Sequence, residues 1–165
     1  MTEFENIVST VAEYLNTRLD SAVCAYPLCG VPEYDAPVTA VGIEESAALR
    51  SGFGEYLGIY HSDETGEREL YGKRMEVTLA LYIYSPKSSG HGAPGCRRVF
   101  SGIVKAMEDA GFPLRVKEIR CGDVGYDPET GMFLCRCCVK CTCIMTRELD
   151  DNGEFTDFRL QGVMI

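Results

Sequence analysis

The sequence lacks a basic excess, a long apolar run and an export signal at its start. It has 16 basic and 25 acidic residues, a net charge of −9, and a pI near 4.7. Proteins that read nucleic-acid sequence usually carry a basic face, so this class is disfavoured. The longest clearly apolar run, Val77–Tyr84, is far shorter than the ~20 residues of a membrane-spanning helix. The start, MTEFENIVST, has no basic segment followed by an apolar one. We therefore expect a soluble, cytoplasmic protein.

Glycine, proline and histidine are too scarce to indicate disorder or histidine-based chemistry. Seven prolines and 17 glycines among 165 residues do not suggest a disordered chain. The length is that of one ordinary domain, residues 1–165, and 45% hydrophobic residues are enough to form its core. The only histidines are His61 and His91. A nucleophile and base pair of Cys96 with His91 would need a third group to orient the imidazole, and none is evident. We interpret both histidines as solvent-exposed and predict no catalytic residue and no enzyme activity.

Hydrophobic periodicity predicts two helices and six strands. Apolar residues at the 3.6-residue period predict helices over Glu3–Leu19, capped by Thr2, and over Cys96–Ala110, ended by Gly111. Strict alternation makes Arg74–Tyr84 the clearest strand, and we expect its tyrosine-bearing face to pair with another subunit. The other predicted strands are Ser21–Tyr26, Val38–Ile43, Leu114–Cys121, Phe133–Met145 and Phe155–Ile165.

The segments between these elements are predicted to be turns and loops. Asp127–Gly131 and Asp151–Gly153 have the composition of tight turns, and Ser85–Gly95 that of a mobile surface loop without a phosphate-loop pattern. Acidic pairs such as Glu44–Glu45 and Asp150–Asp151 are interpreted as solvated turns, whereas Ala47–Ser62 is ambiguous. A phase slip between Val116 and Ile119 indicates a β-bulge. The element order predicts a two-layer α+β fold, a mostly antiparallel sheet with two amphipathic helices packed on one face.

Five cysteines lie within the nine residues 135–143, CRCCVKCTC. On a strand, four of them share one face with apolar neighbours, namely Cys135, Cys137, Cys141 and Cys143. Reduced cysteine is a small, readily buried residue, and nine cysteines in a reducing cytoplasm do not indicate a disulfide scaffold. This pattern favours core packing.

A zinc site is the alternative interpretation of the cysteines. It needs sulfurs about 2.3 Å from one ion, whereas same-face neighbours on a strand are ~6.6 Å apart along the chain. Cys138 and Cys141 have Cys-x-x-Cys spacing but alternate across the strand, which also disfavours a thioredoxin-like redox motif. We predict no metal site and no cofactor, and we keep a zinc-binding regulatory or enzymatic domain as the alternative.

Four segments together resemble the tail-terminator (tail-completion) proteins of tailed phages, prophages and phage-like contractile particles. They are the helix Glu3–Leu19, YGKRMEVTLALYIYSP (71–86), GAPGCRRVFSGIVKAMEDAG (92–111) and CGDVGYDPETGMFLCRC (121–137). The resemblance covers most of the chain. It lies in the order of the elements and in the general character of their sequences rather than in one diagnostic motif. The cysteine-rich strand departs from it.

The resemblance implies a structural virion protein made in the bacterial host cytoplasm. Such proteins form a homo-oligomeric ring, commonly a hexamer, at the head-proximal end of the tail tube, and they contact the tube, the neck and, in contractile tails, the sheath. An acidic ring lumen would repel DNA and let it pass. Residues 86–95 and 126–131 are the expected contacts with neighbouring rings. A head-completion or other neck protein is the related alternative.

Overall fold

The computed structural model describes residues 3–28, 34–50, 55–62, 66–88, 90–149 and 155–161. It contains the helices α1 (Glu3–Arg18) and α2 (Gly92–Glu108). Its seven strands are β1 (Ala22–Ala25), β2 (Val38–Leu49), β3 (Tyr56–Ser62), β4 (Gly66–Ser85), β5 (Arg115–Asp127), β6 (Met132–Leu149) and β7 (Phe155–Gln161).

The strands form a mostly antiparallel sheet in the order β1-β2-β4-β6-β5, with β3 paired to β4 and β7 paired to β6. Among these strands, only β1 and β2 run parallel. The predicted α+β class is confirmed. No described helix is both long and apolar enough to cross a bilayer.

The main core lies between the two helices and one face of the sheet. On α1, Val11 and Leu15 are fully buried, four residues apart, so both face the sheet. On α2, Ile103 is fully buried with Met107 one turn later. The predicted inward face of β4 is buried throughout and consists of Met75, Val77, Leu79, Leu81 and Ile83. Alternation along β4 therefore identified the core face correctly.

The boundaries of α2 differ from the prediction at both ends. The helix begins at Gly92 rather than Cys96, because Pro94 is tolerated in a first turn, where backbone N–H groups have no intrahelical acceptor. It ends at Glu108, and Asp109 is already extended, so Gly111 is not the residue that ends it. The predicted cap of α1, Thr2, lies outside the described residues.

Most strands are longer than predicted. β2 continues through a bulge between Ile43 and Glu45, so the interpretation of Glu44–Glu45 as a turn is wrong. The ambiguous stretch contains β3, and β4 begins eight residues before Arg74. The bulge after Val116 is confirmed by the register of β5 on β6. The second predicted turn, Asp151–Gly153, together with residues 150 and 162–165, lies outside the described residues.

The turn between β5 and β6 is confirmed. The N–H of Gly131 donates to the Asp127 carbonyl oxygen at 2.9 Å, and Gly131 has φ +69°, a backbone conformation that glycine adopts without strain. The Asp127 carboxylate accepts from Thr130 Oγ1 at 2.7 Å and from the Glu129 N–H at 3.2 Å. These hydrogen bonds, chiefly that from Thr130, lower the pKa of Asp127.

The helix-free face of the sheet has an apolar part and a charged part. Val38, Ala40, Tyr84 and Met132 form a second buried cluster, so Tyr84 packs inside the chain, and pairing of the tyrosine-bearing face with another subunit stays a prediction for the half-buried Tyr82. The charged part contains cross-strand ion pairs: Arg136 with Glu44 at 2.6 Å, Lys117 with Glu76 at 2.5 Å and Lys140 with Glu118 at 3.6 Å. Paired charges of this kind favour contact with water over apolar docking.

Candidate functional sites

The cysteine strand is organised as the alternation predicted. Cys135, Cys137, Cys141 and Cys143 are buried in the core beneath the helices. Cys138 lies on the opposite face, where its thiol donates to the Glu44 carboxylate at 3.1 Å. Cys138 and Cys141 therefore cannot act as a Cys-x-x-Cys pair.

Three of the thiols converge. Cys121 on β5 is the register partner of Cys137 on β6. The Sγ atom of Cys121 lies 3.1 Å from that of Cys135 and 3.4 Å from that of Cys137, and the Cys135 and Cys137 sulfurs are 3.9 Å apart. We call this set the thiol triangle. Sequence reasoning missed it because it considered β6 alone, where backbone spacing keeps neighbours apart.

A β-bulge in β5 brings the third sulfur into place. The register of β5 on β6 shifts between Cys121 and Val124, so residues 122 and 123 have no partners on β6. The carbonyl oxygen of Gly122 then lies 3.5 Å from Cys121 Sγ and 3.4 Å from Cys135 Sγ. Cys121 is exposed, whereas Cys135 and Cys137 are buried, so the triangle has one corner at the surface.

The buried thiols are held in the neutral form. Burial is the main cause that raises the pKa of Cys135 and Cys137, and the neighbouring Cys121 raises both further. Burial likewise raises the pKa of Cys141 to about 12 and that of Cys143 to about 11. A neutral thiol is a weak nucleophile, so none of these four resembles an activated catalytic cysteine.

The pair of Cys96 and His91 is not organised for catalysis. The Cys96 thiol is buried within reach of the carbonyl oxygens of Ile83 at 3.5 Å and Phe133 at 3.7 Å, and burial raises its pKa. His91 is half-buried, contrary to the prediction, and its Nδ1 atom has no hydrogen-bond partner among the described residues. His61 is exposed as predicted and lies 3.3 Å from Glu67.

Replacing Cys141 by serine tests the packing role of the buried cysteines. Within the described part of the chain, the hydrogen-bond contact of the Cys141 sulfur is a long one of 4.0 Å to the Val139 carbonyl oxygen, so a buried hydroxyl there is poorly satisfied. We expect Cys141→Ser to lower the free energy of unfolding by about 1–3 kcal/mol in urea denaturation under reducing conditions. Cys138→Ser, which keeps a donor beside Glu44, should change it by less than about 0.5 kcal/mol. Equal losses would contradict the assignment of faces.

A second feature is a sheet arm, which we define as β3 with residues 66–73 of β4. The 20 residues of β4 extend about 65 Å, whereas the 17 residues of α2 extend only about 25 Å. The helices therefore cover only part of the long strands. Large apolar side chains on and beside the arm are exposed: Leu49, Tyr56, Ile59 and Tyr71.

The two segments expected to contact neighbouring rings lie together at the other end of the sheet. The Lys87 Nζ atom lies 3.9 Å from the centroid of the Tyr126 ring. This contact joins the loop before α2 to the β5–β6 turn. Tyr126 is 48% exposed and also contacts Phe133 edge-on. This cluster and the arm are therefore separate apolar surfaces.

No model of a known protein family matches the chain, and no curated protein is significantly similar to it in sequence. The fold and the two sites define a two-layer α+β protein with a thiol triangle and a projecting sheet arm.

Proposed function

We propose that the chain is a structural tail-terminator protein, which assembles into a ring at the head-proximal end of a phage or phage-like tail tube. The arm is the observation that carries this proposal. Exposed apolar side chains grouped on a sheet that projects beyond its helices are typical of a surface that binds another protein. A strand edge on such an arm can also pair with a strand of the next subunit.

A second copy of the chain is the partner that best fits the arm. Its apolar and acidic side chains share one face, since the exposed Glu69 lies opposite Ile59 and accepts a hydrogen bond from the Tyr71 hydroxyl at 2.9 Å. An arm that packs against the body of a neighbour buries its apolar residues, and the carboxylate beside them is then matched by a polar or basic group of that neighbour. Repeated head-to-tail around an axis, this contact closes a ring, and six is the copy number that the resemblance implies.

The charge and the chemistry of the chain fit the same proposal. A net charge of −9 on each subunit gives the ring a strongly negative potential, which keeps passing DNA from adhering. The described residues bring together no nucleophile, base and orienting acid. Assembly, with contacts to the tube, the neck and the sheath of contractile tails, is thus the proposed activity.

The mass of the purified protein tests this proposal. Light scattering and native mass spectrometry are expected to give a mass close to six times 18.2 kDa, at least when tail tubes or high protein concentration favour assembly. Negative-stain electron microscopy should then show rings that bind one end of tail tubes and stop their growth. A protein that stays monomeric at high concentration and does not bind tubes would contradict the proposal. A ring that binds purified heads instead of tubes would favour the head-completion alternative.

A further inference from the structure

We propose that the thiol triangle of Cys121, Cys135 and Cys137 binds one zinc ion. Among the described residues, this is the group of three potential metal ligands whose donor atoms all lie within 4.8 Å of one another. Zinc binds cysteine as the thiolate, so binding releases the three thiol protons to solvent, and three protein ligands leave a fourth position for a solvent molecule. The proposal is independent of ring formation.

The sulfurs are close enough for one ion to bind all three, and Cys121 would move slightly away from the other two to reach the ~3.75 Å sulfur separation of an ideal tetrahedron. The three Sγ–Sγ distances are 3.1, 3.4 and 3.9 Å. Points at these separations lie about 2 Å from the centre of their triangle. An ion about 1 Å out of the sulfur plane is therefore about 2.3 Å from each sulfur, which is the usual Zn–S distance.

Core packing alone does not explain this convergence. Cys141 and Cys143 have the same spacing, lie on the same strand and are equally buried, yet they do not belong to the ligand group. The difference is the bulge after Cys121, which adds a sulfur from the neighbouring strand. Bulges often re-aim a side chain next to a functional site.

The triangle is accessible, and an ion explains it better than a disulfide. Cys121 is exposed, so an ion can reach the two buried sulfurs past it, and solvent can occupy the fourth position. A disulfide would join only two of the three sulfurs at about 2.05 Å and leave the third outside. Cys96 is not included, because its thiol lies against two backbone carbonyls.

Cobalt titration tests the proposal. Protein purified metal-free under reducing conditions is titrated with Co²⁺ without oxygen, and zinc is then added. We expect one equivalent of cobalt, with sulfur-to-metal charge-transfer absorption in the near ultraviolet and tetrahedral bands in the visible, both removed by one equivalent of Zn²⁺. Protein purified from zinc-containing medium should also carry one zinc by elemental analysis.

Two variants provide the comparison. Cys121→Ser removes the exposed ligand without opening the core, and we expect it to weaken zinc binding at least 100-fold. Cys138 lies on β6 but on the face opposite the triangle, beside Glu44, so Cys138→Ser should bind zinc as the wild type does. Circular dichroism should show that both variants are folded. No charge-transfer absorption in the wild type, or equal binding by the two variants, would overturn the proposal.

Discussion

Ile59→Asp is expected to convert the assembled protein into monomers. Ile59 is 53% exposed on the arm, although it is one of the most apolar residues of the chain. If the arm packs against a neighbouring subunit, the substitution removes an apolar contact and buries an unpaired carboxylate. If Ile59 is a hot spot at the centre of that contact, its loss costs about 2 kcal/mol or more, so association should weaken about 30-fold or more at each contact. Light scattering over a concentration series measures this change.

Two controls separate this effect from misfolding and from added charge. Ile59→Asp also places a carboxylate opposite Glu69, so we expect the free energy of unfolding of the monomer to fall by about 1 kcal/mol, which leaves the chain folded. Tyr126→Asp adds the same charge at a similarly exposed apolar residue at the other end of the sheet. It should leave the ring closed and reduce binding to tail tubes or neck proteins. If Ile59→Asp leaves the mass unchanged, the arm is not the subunit contact.

The parts of the fold that pack against the helices were predictable, because burial imposes a period on the sequence. β4 from Met75 to Ile83 and β6 from Cys135 to Cys143 alternate as a sheet with one buried face requires. The arm follows no such rule. Its β4 half, residues 66–73 (GERELYGK), is largely polar and has no core to face, so the alternation fades and the start of β4 was missed, whereas exposed apolar residues of the arm lie on β3 at Tyr56 and Ile59.

The candidate sites depend on relations between strands that one sequence does not specify. The thiol triangle requires Cys121 to lie opposite Cys137, and this register is set by the Asp127–Gly131 turn and the bulge at residues 122–123. The turn was predicted, but the bulge after Cys121 was not. The sequence did contain one signal of the triangle: Cys121 ends the predicted strand Leu114–Cys121, which the turn places beside the cysteine-rich strand. Glu44 was misjudged for a related reason, since its partner Arg136 is 92 residues away.

Gly72→Ala is expected to lower the free energy of unfolding by about 3–5 kcal/mol. Gly72 lies where β4 passes from the arm into the body, and it is buried against β6 opposite Thr146. A Cβ atom there would overlap the Met145 carbonyl oxygen and lie 2.9 Å from the Thr146 Cα. Both are backbone atoms in a central sheet, so a rotamer change cannot relieve the overlap. Overpacking and a φ of +157° that L residues rarely adopt both add to the cost.

Gly125→Ala is the matched control, since Gly125 also lies within a strand and its added Cβ would meet no atom within 4 Å. It should change the free energy of unfolding by less than about 0.5 kcal/mol in urea denaturation. Gly72→Ala should also impair assembly, because separating β4 from β6 at this point changes the direction in which the arm leaves the body. A variant with wild-type stability and wild-type mass would show that the arm does not depend on the close approach of the two strands.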